Sequence, residues 1–157
     1  MGDANKLWAS ILAVSVFAVG SAVYLLERPV DTVFLLPSWW EVFQPKPRSS
    51  WLGQHLPGFA HVFSFSLLTA MALGSSRKAL LWACLFWTTV NLVFELGQIN
   101  FIAMTVSGQL ADGPVLNQLA SYLVAGTFDP VDIIFILAGG LSAWLTVVLT
   151  RAPEGRT

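Results

Sequence analysis

Polar side chains that recur at helical spacing inside an apolar stretch are the first candidates for chemistry in this chain. Asn91, Glu95 and Gln98 are separated by four and then three residues, and Thr88 precedes Asn91 by three. This spacing predicts one polar face on a helix. A carboxylate flanked by amides can bind a cation, accept hydrogen bonds from a ligand or move a proton. Because charged groups are costly within apolar spans and usually mark function, this face is a candidate site.

Two other apolar stretches bring further polar groups toward the same end. His61 lies near the start of the second stretch, and Asp129 and Asp132 lie at the start of the last one. If the stretches pack side by side, we expect one ligand-binding cluster made of six side chains: His61, Asn91, Glu95, Gln98, Asp129 and Asp132. Glu95 and Asp132 would hold a divalent cation or act as an acid/base pair. His61 and Gln98 would orient the ligand.

Each of these residues also has an ordinary structural interpretation. Asp129 precedes Pro130, and this pair is typical of a helix start in which the carboxylate caps the first turn. Asp132, one turn further, either stabilises the helix dipole or belongs to the site. A histidine such as His61 is often simply hydrogen-bonded between helices. Glu95 is the hardest to explain structurally, because a carboxylate near a helix C-terminus opposes the dipole and needs a partner.

The sequence carries no recognisable catalytic motif. GxSxG and HExxH elements are absent, so a nucleophile or an activated water has no evident source. Cys84 is the only cysteine, which excludes a disulfide, a CxxC redox pair and a cysteine zinc site within one chain. It lies in an apolar run, and we expect a small buried hydrophobe there. Binding is favoured over catalysis, and the metal, cofactor and reaction stay open.

The composition is that of a membrane protein. Of 157 residues, 55% are hydrophobic and only 11% are charged, against roughly 25% charged in an average soluble domain. The net charge of −1 provides no basic surface for counterion release, which excludes nucleic acid as a partner. The seven tryptophans suit the interfaces of a lipid bilayer.

Four apolar runs are long enough to cross a bilayer, which takes about 20 residues. They cover residues 7–26, 56–73, 79–96 and 131–149. The predicted fold class is therefore an all-α integral membrane protein, a single domain built as a four-transmembrane-helix bundle. The second and third runs are joined so closely that they must be antiparallel. Small residues, Gly20 in the first run and Gly139-Gly140 in the fourth, are expected to let helices approach closely.

Two long loops separate the spans. Residues 27–55 hold four prolines and several aromatic residues, which argues for a loop whose rings rest at the headgroup level. Residues 97–130 contain no Lys or Arg, and one short interfacial helix is predicted there, near residues 114–124.

The positive residues predict the orientation. Lys6, Arg77, Lys78, Arg151 and Arg156 lie on one side, and Arg28, Lys46 and Arg48 lie on the other. Since cytoplasmic loops are enriched in Lys and Arg, both termini are predicted to be cytoplasmic. The long loops and the polar cluster then face outward.

In their order and topology these motifs resemble those of the VanZ-like family, named after the teicoplanin-resistance protein. The resemblance covers about residues 57–145 and rests on His61-Val-Phe, on FELGQ at 94–98 and on GTFDPVDIIFILAGG at 126–140. The family positions that it implies are His61, Glu95, Gln98 and Asp132, with Asp129 as the preceding acidic position. It also implies a bacterial cytoplasmic (inner) membrane and a link to the cell envelope, without a defined reaction.

The chain departs from the family pattern in its basic residues. Pro57 and Gly58 stand where an Asp-Lys pair commonly precedes the histidine. Gly126-Thr127 stands where an arginine is usual, and Ile136 where an asparagine is expected. Losing two basic residues from an acidic cluster disfavours binding of an anionic headgroup.

Two functions of different classes follow from the sequence. In the first, the outward cluster binds an envelope lipid or its headgroup. In the second, the chain is a non-catalytic accessory subunit of a larger membrane complex, which docks on other subunits through its aromatic loop and its second long outer loop. The cluster then only holds three helices in register. A transporter is disfavoured, because four spans are few for alternating access and no inverted repeat is visible.

Overall fold

The computed structural model describes residues 2–27, 50–109 and 113–150. These residues form six helices and no strand, which confirms the all-α fold class. The helices are α1 (Asp3–Glu27), α2 (Trp51–Ala72), α3 (Arg77–Gly97), α4 (Asn100–Gln109), α5 (Pro114–Ala125) and α6 (Pro130–Thr150). The predicted loop aromatics Trp39, Trp40 and Phe43 lie outside the described residues, as do Arg28, Lys46, Arg48, Arg151 and Arg156.

Among the described helices, α1, α3 and α6 are long and apolar enough to cross a membrane. The helix α2 has a similar length but is not among these candidates, and it lies at the centre of the bundle. It packs against α1, α3 and α6, and ten of its 22 residues are buried, against three of 25 in α1. Because neighbouring helices shield it from lipid, α2 can carry polar side chains that a lipid-facing helix cannot.

The first residue of α2 is Trp51, a correction to the predicted start at residue 56. Ser50 is the N-cap, and its Oγ accepts a hydrogen bond from the backbone N–H of Gly53 at 3.0 Å. The apolar run begins later than the helix because the polar residues Gln54 and His55 interrupt it. Pro57 therefore lies inside the helix and is buried there.

Two contacts join the ends of the long helices. At one end, Glu27 Oε2 accepts hydrogen bonds from Ser50, from its N–H at 2.9 Å and from its hydroxyl at 2.7 Å. At the other end, Asn5 Nδ2 donates to the backbone carbonyl of Thr150 at 2.7 Å. The end of α1 thus meets the start of α2, and the start of α1 meets the end of α6. Successive long helices therefore run in opposite directions.

A tight turn joins α2 to α3, as the short connection predicts. Gly74 and Ser75 adopt positive φ angles of 88° and 59°, a backbone conformation that glycine tolerates best. Ser76 then caps α3 by accepting from the N–H of Ala79 at 3.0 Å. The pair is antiparallel because the turn reverses the chain within a few residues.

Small residues bring the helices of the bundle close together. Gly20 of α1 faces Ala60 of α2, and Gly139 of α6 lies against the backbone of Phe59. These contacts confirm the predicted close approaches. The only cysteine, Cys84, is buried and free, as predicted, within a core cluster formed by Ala13, Phe63, Leu67, Ala70, Leu80, Ala83, Cys84, Ala143 and Val147.

Two helices, rather than one, occupy the segment between α3 and α6. The helix α5 lies where a short helix was predicted near residues 114–124, and α4 was not predicted. The apolar residues of α4 surround its axis, so no periodic pattern indicates a helix. Only Ala103 of α4 is buried, while Phe101 and Met104 are exposed.

Candidate functional site

A cavity of about 490 Å³ lies at the end of the bundle where α1 and α3 end and α2 and α6 begin. We refer to it as the polar chamber. Its lining includes all six residues predicted as the ligand-binding cluster: His61, Asn91, Glu95, Gln98, Asp129 and Asp132. The antiparallel arrangement of the helices explains this convergence, because it brings three polar helix ends together. Thr88 shares the polar face of α3 but lies deeper, against Gly140.

A seventh residue, His55, was not predicted and is the most deeply buried polar group of the chamber. Its side chain is 2% exposed, and its Nδ1 lies 2.8 Å from Oδ1 of Asp132. A carboxylate only accepts, so the imidazole donates this bond from Nδ1. Trp51 and Phe135 pack around the ring, with centroids 5.1 and 5.4 Å away. Recognition of the Ser50 cap in the sequence would have placed His55 on α2 and near the cluster.

Glu95 has the partner that its position demands. Although only 7% of the residue is exposed, its Oε1 accepts a hydrogen bond from the backbone N–H of Asp129 at 2.8 Å. The bond ties the C-terminal end of α3 to the N-terminus of α6, where a negative charge is favourable. The Asp129 side chain caps α6, with Oδ1 accepting from the N–H of Val131 at 2.8 Å. This contact confirms the predicted N-cap.

The two amides of the α3 face have different surroundings. Gln98 is 6% exposed, and its Nε2 donates to the hydroxyl of Tyr122 on α5 at 3.3 Å. Gly126 leaves room for this side chain, since a Cβ at that position would overlap Gln98. Asn91 donates from Nδ2 to the carbonyl of Trp87 on its own helix, at 2.9 Å. Gln98 thus connects α5 to the chamber, whereas Asn91 uses its amide nitrogen within α3.

His61 lies where the polar chamber meets a second cavity of about 440 Å³ between α1, α2 and α3. We refer to this second cavity as the apolar groove, and Phe17, Leu25, Phe65 and Val90 are among its lining residues. The imidazole stacks on Phe65, with centroids 5.3 Å apart, and lies 5.8 Å from Phe17. Within the part of the chain that the structure describes, His61 is therefore held by aromatic rings rather than by the predicted hydrogen bond between helices.

The described lining of the polar chamber is rich in acceptors. It contains four carboxyl groups, from Glu27, Glu95, Asp129 and Asp132, and two histidines, and none of its described residues is a Lys or Arg. No three His, Cys, Asp or Glu side chains in residues 2–27, 50–109 and 113–150 are arranged to hold a metal ion. The geometry therefore offers hydrogen-bond acceptors and negative charge, and it does not support the divalent cation site considered from the sequence.

Comparison of the chain with protein-family models, with curated proteins and with solved structures finds no match in any of the three. The site must therefore be interpreted from its own residues.

Proposed function

We propose that the chain is a VanZ-like protein of the bacterial inner membrane whose polar chamber faces outward and binds the headgroup of an envelope lipid. The observation that carries this proposal is the convergence of seven polar residues, from α2, α3 and α6, on one cavity of about 490 Å³. Ligand sites in proteins are concave, commonly 300–1,000 Å³ in volume, and contain a few convergent polar groups. Charged groups inside a membrane protein are retained mainly where they serve function.

The fold and the charges support the proposed topology. Shielding of α2 by its neighbours is consistent with α2 as a fourth span beside α1, α3 and α6. Lys6, Arg77 and Lys78 lie at the end of the bundle opposite to the polar chamber. The described residues contain no other Lys or Arg. Over the whole sequence, five Lys and Arg residues fall on that side and three, Arg28, Lys46 and Arg48, fall on the side of the chamber. This difference supports a chamber on the outer side of the membrane with both termini in the cytoplasm.

Cysteine labelling on intact cells tests this orientation. In a Cys84→Ala background, Thr127→Cys at the chamber end and Ala4→Cys at the start of α1 provide two exposed thiols. A membrane-impermeant maleimide is expected to label Thr127→Cys on intact cells and Ala4→Cys only after permeabilisation. The reverse pattern would contradict the outward orientation, and labelling of both sites on intact cells would contradict the four-span topology.

Lipid retention by a Glu95→Gln variant tests the function. The amide keeps an oxygen that can accept from the Asp129 N–H, so the tie between α3 and α6 is preserved while the charge is lost. Native mass spectrometry of the protein extracted from its own membrane is expected to detect one lipid class bound to the wild type. In Glu95→Gln the occupancy should fall about tenfold, since loss of a buried charged partner costs at least that factor.

Asp3→Asn is the matched control, because it also removes one carboxylate but from a fully exposed side chain at the opposite end. It should retain lipid like the wild type. Equal retention by all three proteins would contradict the proposed function. If the extracted chain is instead detected bound to another polypeptide at fixed stoichiometry and to no lipid, the accessory-subunit alternative is favoured.

A further inference from the structure

The polar chamber and the apolar groove are adjacent cavities with a shared wall. Six residues line both cavities: Tyr24, Pro57, His61, Asn91, Phe94 and Tyr122. Among the described residues, these shared side chains lie between a region rich in carboxyl groups and a region lined mainly by hydrocarbon and aromatic groups. The two adjacent cavities together therefore offer one polar and one apolar part, with His61 between them.

The apolar groove is lined by side chains that suit a hydrocarbon chain. The helix α2 forms its floor through Ala60 and Phe65, while Phe17 of α1 and Val90 of α3 lie on either side. Ring contacts continue along it, with centroids 5.2 Å apart for Phe17 and Phe65 and 4.8 Å apart for Phe65 and Trp87. Because α1 and α3 are candidate membrane spans, the groove lies at the depth of the acyl chains. A chain lying there gains dispersion contacts with close-packed walls.

The charge of the polar chamber selects the headgroup. The described lining holds four carboxyl groups and two histidines, and it holds no Lys or Arg, so it offers acceptors and no permanent positive charge. A phosphate placed among these carboxyl groups would meet acceptors and like charge instead of donors, which is unfavourable. An ammonium group provides three donors and a positive charge, and both are complementary to the lining.

We propose that the ligand is a lipid whose headgroup ends in a primary ammonium group, with the ammonium in the polar chamber and one hydrocarbon chain in the apolar groove. This inference rests on the proposed function and adds the headgroup chemistry and the location of the chain. The phosphate of such a lipid lies toward the mouth of the chamber, away from the carboxylates.

Competition between two lipids with identical acyl chains tests the headgroup. The purified protein, stripped of lipid in detergent, is mixed with equal amounts of phosphatidylethanolamine and phosphatidylglycerol and examined by native mass spectrometry. The ethanolamine lipid is expected to occupy the site about tenfold more than the glycerol lipid. Free ethanolamine at the same concentration should displace neither, because it lacks the chain.

A pair of valine substitutions on α3 tests the groove. Val90 lines the groove, whereas Val93 on the same helix is 62% exposed on its outer surface. Val90→Phe fills the groove and should lower binding of the ethanolamine lipid about tenfold, while Val93→Phe should leave it unchanged. Circular dichroism establishes whether both variants fold. If Val90→Phe does not fold, Ser21→Phe, which narrows the groove from α1, takes its place.

The possible results distinguish failure of this inference from failure of the proposed function on which it rests. Equal binding of the two lipids, equal effects of Val90→Phe and Val93→Phe, or full displacement by free ethanolamine would overturn this inference. If Glu95→Gln still abolished lipid binding in that case, the proposed function would stand. Binding that is insensitive to Glu95→Gln for every lipid would overturn the proposed function itself.

Discussion

Replacing Gly139 with valine is expected to lower the free energy of unfolding by about 3 kcal/mol, the upper end of the range for overpacked cores. A Cβ at this position would lie 2.6 Å from the carbonyl oxygen of Phe59 and 3.2 Å from its Cα. These are backbone atoms of α2, so they cannot move aside unless the two helices separate. Separation of α2 from α6 would also widen the polar chamber. Unfolding by SDS titration, followed by far-UV circular dichroism, measures the loss.

Gly108→Val is the control for this substitution. Gly108 lies in α4, where an added Cβ meets no atom within 4 Å. Its replacement should change the free energy of unfolding by less than about 0.5 kcal/mol, as is usual for surface substitutions. Equal losses in the two variants would show that the contact between Gly139 and Phe59 is not what limits the approach of α6 to α2.

Asp132→Ala is expected to lower the free energy of unfolding by about 2 kcal/mol, because it leaves the buried imidazole of His55 without its acceptor. The loss is smaller than for a fully enclosed pair, since the Asp132 side chain is 15% exposed and the chamber admits water. Asp132→Asn keeps an oxygen that can accept from Nδ1 and should lose less. The same SDS titration compares the two variants.

A double-mutant cycle with His55→Phe isolates the interaction. Phenylalanine suits the aromatic surroundings of Trp51 and Phe135 and has no donor that needs a partner. Addition of Asp132→Ala to His55→Phe should therefore destabilise the protein by about 1 kcal/mol less than it destabilises the wild type. If the free-energy changes of the two substitutions simply add, the 2.8 Å contact between His55 and Asp132 contributes nothing to stability.

The sequence predicts the polar residues of the chamber better than it predicts their contacts. Helical spacing determines that Asn91, Glu95 and Gln98 share a face, and alternation of the long helices determines which ends meet. The cap formed by Asp129 follows from local chemistry and is confirmed. The partner of Glu95 was not predictable, because a backbone N–H that lies 34 residues away leaves no trace in the sequence.

His55 and α4 escaped prediction for a shared physical reason. Hydropathy marks a helix either by a long apolar run or by a periodic pattern with one apolar face, and neither signal covers these two features. His55 lies on a turn of α2 that faces the chamber, so the apolar run stops before the helix does. In α4 the apolar side chains surround the axis, and again no periodicity appears.

Two hydrogen bonds beside the polar chamber distinguish segments whose length can change from residues whose identity cannot. The bond between Glu27 and Ser50 joins residues 23 positions apart, and the bond between Glu95 and the Asp129 N–H joins residues 34 positions apart. Each bond therefore fixes the two ends of the segment between its partners. The entropy of closing such a loop grows slowly, by about 0.6 kcal/mol for each doubling of its length. Closure entropy alone therefore allows insertions and deletions outside the residues that contact the chamber at little cost, whereas the bonded residues and the glycines at the helix crossings have little room to vary.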